Sequence, residues 1–170
     1  ENATISLRGV ESIGEQAFYN CTGLTSIVIP DTVTDLGAST FYACSGLKSV
    51  TIGTGVTELK KWVFRECTAL ETVTFKAGSA VSAIKGSVFE KCNAIKSISI
   101  PASVTTIETN AFAGWTAEQT IVLPYTEVEA RANLVLGNDR TGWCGNAIVQ
   151  YQPAPNADWC KNISLTVQGT

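Results

Sequence analysis

Six cysteines and no histidine set the terms on which this chain could do chemistry. Four of the six, Cys21, Cys44, Cys67 and Cys92, recur at intervals of 23, 23 and 25 residues. Thiolates bind zinc or act as nucleophiles, but zinc sites use C-x-x-C pairs or Cys/His sets, and a catalytic thiol needs a base beside it. None of the four belongs to such a pair, and without histidine the commonest general base and metal ligand is missing. No pair of carboxylates is forced together by the pattern, and the serines lack a base. We therefore expect no catalytic residue, no bound metal and no cofactor. The even interval points to a structural role, a column of small buried thiols. Disulfides between neighbours are not forbidden by Cα separations near 5 Å, but parallel Cβ vectors hold the Cβ atoms farther apart than a disulfide prefers, so free thiols are favoured.

A column needs a repeating element to build it. "FYNCTGLTSIVIP", "FYACSGLKSVTIG", "FRECTALETVTFK" and "FEKCNAIKSISIP" share one skeleton, and a further step of 23 lands on Trp115 in place of the Cys. Other columns keep the same phase: Val10, Val33, Val56, Val81, Val104; Ile13, Leu36, Leu59, Ile84, Ile107; Phe18, Phe41, Phe64, Phe89, Phe112. The two extra residues of the 25-step fall in "KAGSA", between Phe75 and Val81, where a loop absorbs them. A period of this length is the mark of a solenoid, one coil per repeat. In each coil "LTSIVI" sets Leu24, Ile27 and Ile29 inward at strand spacing. Pro30, Gly53 or Pro101 ends the strand, since Pro cannot donate to a ladder. A second extended piece carries Val33 and Leu36, and "ASTFYAC" spaces Phe41 and Cys44 as on one face of a helical turn. One coil cannot bury both its faces; stacked coils give every column a neighbour above and below.

The pattern I-G-x-x-A-F-x-x-C-x-x-L-x-x-I-x-I-P, read from Ile13 to Pro30, resembles the BspA-like class of leucine-rich repeat, and the likeness runs over about residues 5 to 124. The resemblance implies a right-handed leucine-rich-repeat-like coil with one parallel β-sheet face, short helical turns or 3-10 segments opposite, and a helix-plus-strand cap at the C-terminus. It also implies a secreted or cell-surface protein of adhesion type, which binds macromolecules and does not catalyse.

The array frays at its end. Trp115 replaces the Cys, and Glu118 stands where Leu24, Leu47, Leu70 and Ile95 stand. Residues 1–124 are thus read as the solenoid, with a partial coil at its start in which Ile5 and Leu7 open the sheet. Residues 125–151 are read as a C-terminal cap, and residues 152–170 as a linker with room for one more strand at Ile163, Leu165 and Val167. Within the cap, Thr126 and Glu129 have capping-box spacing, Val128, Ala132 and Val135 form an apolar stripe, and Gly137 ends the helix. Trp143, Ile148 and Tyr151 could then close the open end. Cys144 and Cys160 could be bridged or free; a bridge would close a loop of about 17 residues. The sequons at Asn2, Asn20 and Asn162 mark surface asparagines only if the source glycosylates by that rule.

Twelve basic against fifteen acidic residues give a net charge of −3 without blocks of one sign, which disfavours nucleic acid and anionic membranes as partners. No apolar run is long enough to insert in a membrane. The chain carries no Met, not even at position 1, which suggests a processed form or a monomeric segment of a larger protein. The surface that remains is the outward side of the sheet: Ser26 and Val28, Ser49 and Thr51, Thr72 and Thr74, Ser97 and Ser99, flanked by the column Lys48, Glu71, Lys96. Small polar and β-branched residues are ordinary solvent-facing strand formers, yet their even spacing suits a hydrogen-bonding surface for protein or glycan at a cell surface. The rival reading is a structural spacer that holds other domains off a surface and has no ligand of its own.

Overall fold

The computed structural model describes residues 5, 7–137 and 142–151. Its chain winds as a β-solenoid of parallel strands, about five turns, each turn placing one long and one short strand. The long strands are β2 (Ser26–Ile29), β4 (Ser49–Ile52), β6 (Thr72–Phe75), β8 (Ser97–Ser99), β10 (Thr120–Leu123) and β12 (Ile148–Tyr151). Along each, side chains alternate: Ile27 and Ile29 are buried while Ser26 and Val28 are exposed. The register stacks like on like, with Ser26 beside Ser49 and Ser49 beside Thr72. This sheet comes in two halves, β2-β4-β6 and β8-β10-β12, with no pairing from β6 to β8.

The short strands form a second parallel face that the sequence reading did not anticipate. They are β1 (Ser12–Ile13), β3 (Asp35–Leu36), β5 (Glu58–Leu59), β7 (Ala83–Ile84), β9 (Thr106–Ile107) and β11 (Val135–Leu136). β1 pairs with β3, and β5, β7, β9 and β11 form one ladder. The cause is simple. Val33 and Leu36 are both fully buried, the backbone between them is extended, and its N–H and C=O groups find partners on the adjacent turn.

The third side is turned and not helical. Tyr19 and Cys21 donate their N–H groups to the carbonyls of Gln16 and Phe18, three residues back. The intervening residues Gln16, Phe18 and Asn20 donate to Ala38, Thr40 and Tyr42 on the next turn. Two positions per turn lie in the left-handed region: Gln16, Ser39, Trp62, Ser87 and Asn110 in one column, and Asn20, Ala43, Glu66, Lys91 and Gly114 in the other. That conformation costs a residue with a Cβ about 1–2 kcal/mol. It aims N–H groups along the stack, and the bonds from Asn20 to Tyr42 (2.8 Å) and from Glu66 to Glu90 (2.9 Å) offset the strain.

Between these faces runs the core. Five phenylalanines lie ring over ring: Phe18 on Phe41 at 5.2 Å, Phe41 on Phe64 at 5.5 Å, Phe64 on Phe89 at 5.7 Å and Phe89 on Phe112 at 5.4 Å. Offset stacking at such separations adds about 0.5–1.5 kcal/mol per pair beyond the area buried. At the N-terminal end Ile5 and Leu7 pack half-buried against this core but, contrary to expectation, lie in no strand.

The last turn differs from the reading in detail. Helix α1 (Glu127–Asn133) has the expected capping box between Thr126 and Glu129. Its apolar stripe does not face inward: Val128 is 77% exposed, Val135 is 67% exposed and Ala132 is exposed, while Ala130 and Leu134 are buried. Gly137 does not end the helix. The chain becomes extended at Leu134, and Val135–Leu136 join the short-strand ladder as β11 beside β9. Gly137 then donates its N–H to Ile107, as Gly37 does to Ile13. A Cβ there would collide with the backbone of Thr109, so the position needs Gly for close approach. Trp143 is buried edge-on to Phe112 at 6.1 Å and does close the stack, but Ile148 points outward on β12 and Tyr151 is only half-buried. Ile163, Leu165 and Val167 lie outside the described residues, as do Cys160, Asn2 and Asn162. No helix among the described residues is long and apolar enough to cross a membrane.

Candidate functional site

The thiol column is structural in its geometry. Cys44, Cys67 and Cys92 are fully buried, with Cys21 half-buried at the end of the row, and all four are free thiols. Each Sγ–H points to the carbonyl of the phenylalanine on the preceding turn: Cys44 to Phe18 at 2.9 Å, Cys67 to Phe41 at 3.1 Å, Cys92 to Phe64 at 3.0 Å. Burial pushes the Cys44 thiol from its ordinary 9.0 up to about 11, and Cys67 and Cys92 higher still. A thiol held neutral and inaccessible is a poor nucleophile and a poor ligand. Among the described residues no three His, Cys, Asp or Glu side chains gather closely enough to hold a metal ion.

Charged groups pair across turns. Lys60 meets Asp35 at 2.5 Å, Lys91 meets Glu66 at 2.9 Å, and Arg65 meets Glu90 at 3.0 Å. Arg65 also lies 5.6 Å from the ring of Tyr42, which stacks on Tyr19 at 5.2 Å. The Lys91 ammonium holds the Glu66 carboxyl below its usual range, and Asp35 raises Lys60. These pairs tie turn to turn, and Lys85 bridges Glu58 at 3.7 Å and Glu108 at 3.3 Å in the same way.

Hydroxyl groups are used differently around the turn. Beside the short strands Thr32 donates to Val10, Thr34 to Glu11, Ser82 to Thr57 and Thr105 to Ser82, always the carbonyl one turn back, while Ser12 and Thr106 on the short strands make no side-chain hydrogen bond among the described residues. On the long-strand side Ser26, Ser49, Thr51, Thr72, Thr74, Ser97, Ser99 and Thr120 all point outward, and none of their hydroxyls has a hydrogen-bond partner among the described residues. Val28 stands exposed in the same rows. Lys48, Glu71 and Lys96 line one end of the strands as expected and are exposed, and Lys96 reaches Glu118 at 3.6 Å. The eleven expected face residues thus share one surface, interrupted where β6 and β8 part. There a groove of about 580 Å³ opens, lined by Phe75, Thr74, Ser97, Ser99 and Ser103 among others.

Two contributors escaped the sequence reading. Gln119 sits beside the expected Leu position; its buried side chain donates to the carbonyls of Cys92 and Ile95 and repairs the turn where Glu118 faces solvent. Phe75 is half-buried, while Ile29 and Ile52 in its column are fully buried. The insertion in "KAGSA" is the sequence feature next to it, and the loop does not absorb those two residues without disturbing the column. The bridge considered for Cys144 and Cys160 lies outside the described residues because Cys160 does.

Comparison with known proteins bears on what such a surface is for. A family model described as "BspA type Leucine rich repeat region (6 copies)" matches residues 1–124. The crystal structure of a leucine-rich repeat protein of T. pallidum is similar, with 25% identity and a TM-score of 0.63, over 84% of this chain and 67% of that one. A leucine-rich repeat protein of Bacteroides ovatus shares 24% identity at a TM-score of 0.57, over 84% of this chain and 42% of that one. A leucine-rich cell surface protein of Faecalibacterium prausnitzii shares 26% identity at a TM-score of 0.53, over 89% of this chain and 46% of that one. The chain thus spans less than half the length of the latter two. None of the curated proteins matches it.

Proposed function

The chain belongs to the BspA-type leucine-rich repeat family, and from that premise we propose that it is a secreted or cell-surface binding module whose long-strand sheet holds a protein or a glycan without chemical change. The observation that carries this reading is the row of hydroxyls along the long strands. Eight of them point outward without partners among the described residues, in register within each half of the sheet, and form a rigid array of donors and acceptors. Rigidity matters because groups already ordered lose little entropy on binding. Location at a surface is supported by the likeness to the F. prausnitzii cell surface protein, and the lack of histidine supports a non-catalytic role.

The test is the combined variant Ser49→Lys, Thr51→Lys, Thr72→Lys, Thr74→Lys, compared with the unaltered chain on arrays of purified surface proteins and of glycans. Loss of about tenfold or more in the retained signal supports the sheet face as the binding surface. Unchanged retention, or none by the unaltered chain, would favour the rigid spacer.

A further inference from the structure

We infer that the break in the long-strand sheet is a binding subsite for a neutral sugar residue, seated in the groove between β6 and β8; the inference rests on the reading of the sheet as a binding face. Two features accompany the break. The loop after Phe75 is two residues longer than its counterparts, and Pro101 occupies the position from which Lys76 donates its N–H to Ile52 one turn earlier; the loop is the feature peculiar to this step, since Pro124 stands in the same column beside the intact β8–β10 ladder. Having no N–H, Pro101 cannot make the matching bond to the carbonyl of Phe75.

What faces the groove follows from ladder alternation. Because Lys76 donates back to Ile52, and Ile100 donates onward to Val122, the N–H and C=O groups of Val73 and Phe75 on β6 and of Ser97 and Ser99 on β8 point toward each other across the gap. No ladder bond joins them. Phe75, half-buried at the edge of the core, lines the groove, and so do Thr74, Ser97 and Ser99, whose hydroxyls point outward. Ser103 also lines the groove, and its buried Oγ has no partner among the described residues. The one charge on the lining, Lys76, is held by Asp31 at 2.9 Å.

These features select a ligand class. A neutral pyranose offers a flat C–H face to an aromatic ring and a rim of hydroxyls, each both donor and acceptor, which is the inventory of this groove. Its 580 Å³ lies within the range of small-ligand sites, about 300–1,000 Å³. An ionic ligand would find no unspent counter-charge on the lining. Free strand edges also capture extended peptides, but interposing a strand requires neighbours about 9.6 Å apart, twice the ladder spacing. Cα atoms of β6 and β8 still approach within 8 Å.

The experiment applies the whole chain to an array of neutral and sialylated oligosaccharides and to an array of extended peptides. Three variants accompany it: Ser99→Trp and Ser97→Tyr, each of which fills the groove from its rim, and Ser26→Lys with Ser49→Lys on the other half-sheet. Circular dichroism and urea unfolding check each fold, and either groove variant suffices if the other fails to fold. Retention of neutral oligosaccharides, weakened about tenfold or more by filling the groove and weakened clearly less by the double lysine variant, supports the proposal. Weakening by the lysines alone leaves the sheet face standing and overturns the groove. A preference for sialylated sugars overturns neutrality, and capture of peptides that is lost in Ser99→Trp reassigns the groove to polypeptide. Silence on both arrays overturns this subsite and the binding face together.

Discussion

The regular turns, from Ser26 to Cys92, and the last turn, from Trp115 to Tyr151, continue the same ladders with unlike sequences. In the regular turns a thiol donates to the carbonyl of the phenylalanine one turn back; in the last, Trp115 Nε1 donates to Phe89 at 2.9 Å and does the same work. Leu gives way to the amide of Gln119, the phenylalanine column ends on Trp143, and α1 is inserted before the short strand β11. What the architecture demands of each position is a volume and a donor, not a residue type. The repeat motif is one solution to that demand, and the end of the array is another.

The difference can be pushed hardest in the middle. Phe64 is sandwiched between two rings and has no exposed surface, so Phe64→Ala should lower unfolding free energy by about 3–5 kcal/mol, read from urea midpoints. Phe18→Ala, with a described ring on one side only and part of its surface open, should lose clearly less. Equal losses would mean that neighbours do not set stability. Alkali should separate the regions next. The folded Cys44 thiol ionises near 11 and the unfolded one near 9.0, so between these values the unfolded chain binds fewer protons and stability falls as pH rises. The stability is fully present below pH 9, and about 2–3 kcal/mol from this thiol is lost by pH 11. Cys44→Ser should flatten the fall in urea midpoint over that window, whereas Trp115, which does not titrate, confers no such dependence on the last turn. The smallest contrast uses two glycines of one column. Gly137→Ala drives a Cβ into the Thr109 backbone and should cost about 1–3 kcal/mol and speed amide exchange in β11. Gly14→Ala meets nothing within 4 Å and should change stability by less than about 1 kcal/mol in either direction.

Most of the regular turns could be read from residue types because period and burial coincide. Val33, Leu36, Phe41, Cys44 and Leu47 are all fully buried where the columns put them. The left-handed turn positions were invisible for a physical reason: only Gly114 among the ten is a glycine, since the bond to the next turn pays for Gln, Trp, Lys or Glu there. In the cap, Val128, Ala132 and Val135 made an apolar stripe that local spacing alone could not orient, and contact with the last coil buries Ala130 and Leu134 instead. The outward face was legible from strand alternation, and Ser26, Ser49, Thr72 and Ser97 stand as expected. Its groove was not, because residue types on β6 and β8 match those of the paired strands and only the length of the loop after Phe75 differs.

In the regular turns the backbone hydrogen bonds of the turned side run one way, from an N–H to a carbonyl one turn later, as from Gln16 to Ala38, Phe41 to Val63 and Lys91 to Ala113. The turned side therefore has a polarity: an uncovered end toward the C-terminus would offer donors and one toward the N-terminus acceptors, with the positive pole of the aligned peptide dipoles toward the C-terminus. Two such ends fit each other, which is the recipe for head-to-tail fibres. The carbonyls of Gly142 and Trp143 accept from Asn110 and Phe112 and so cover the donors of the last regular turn.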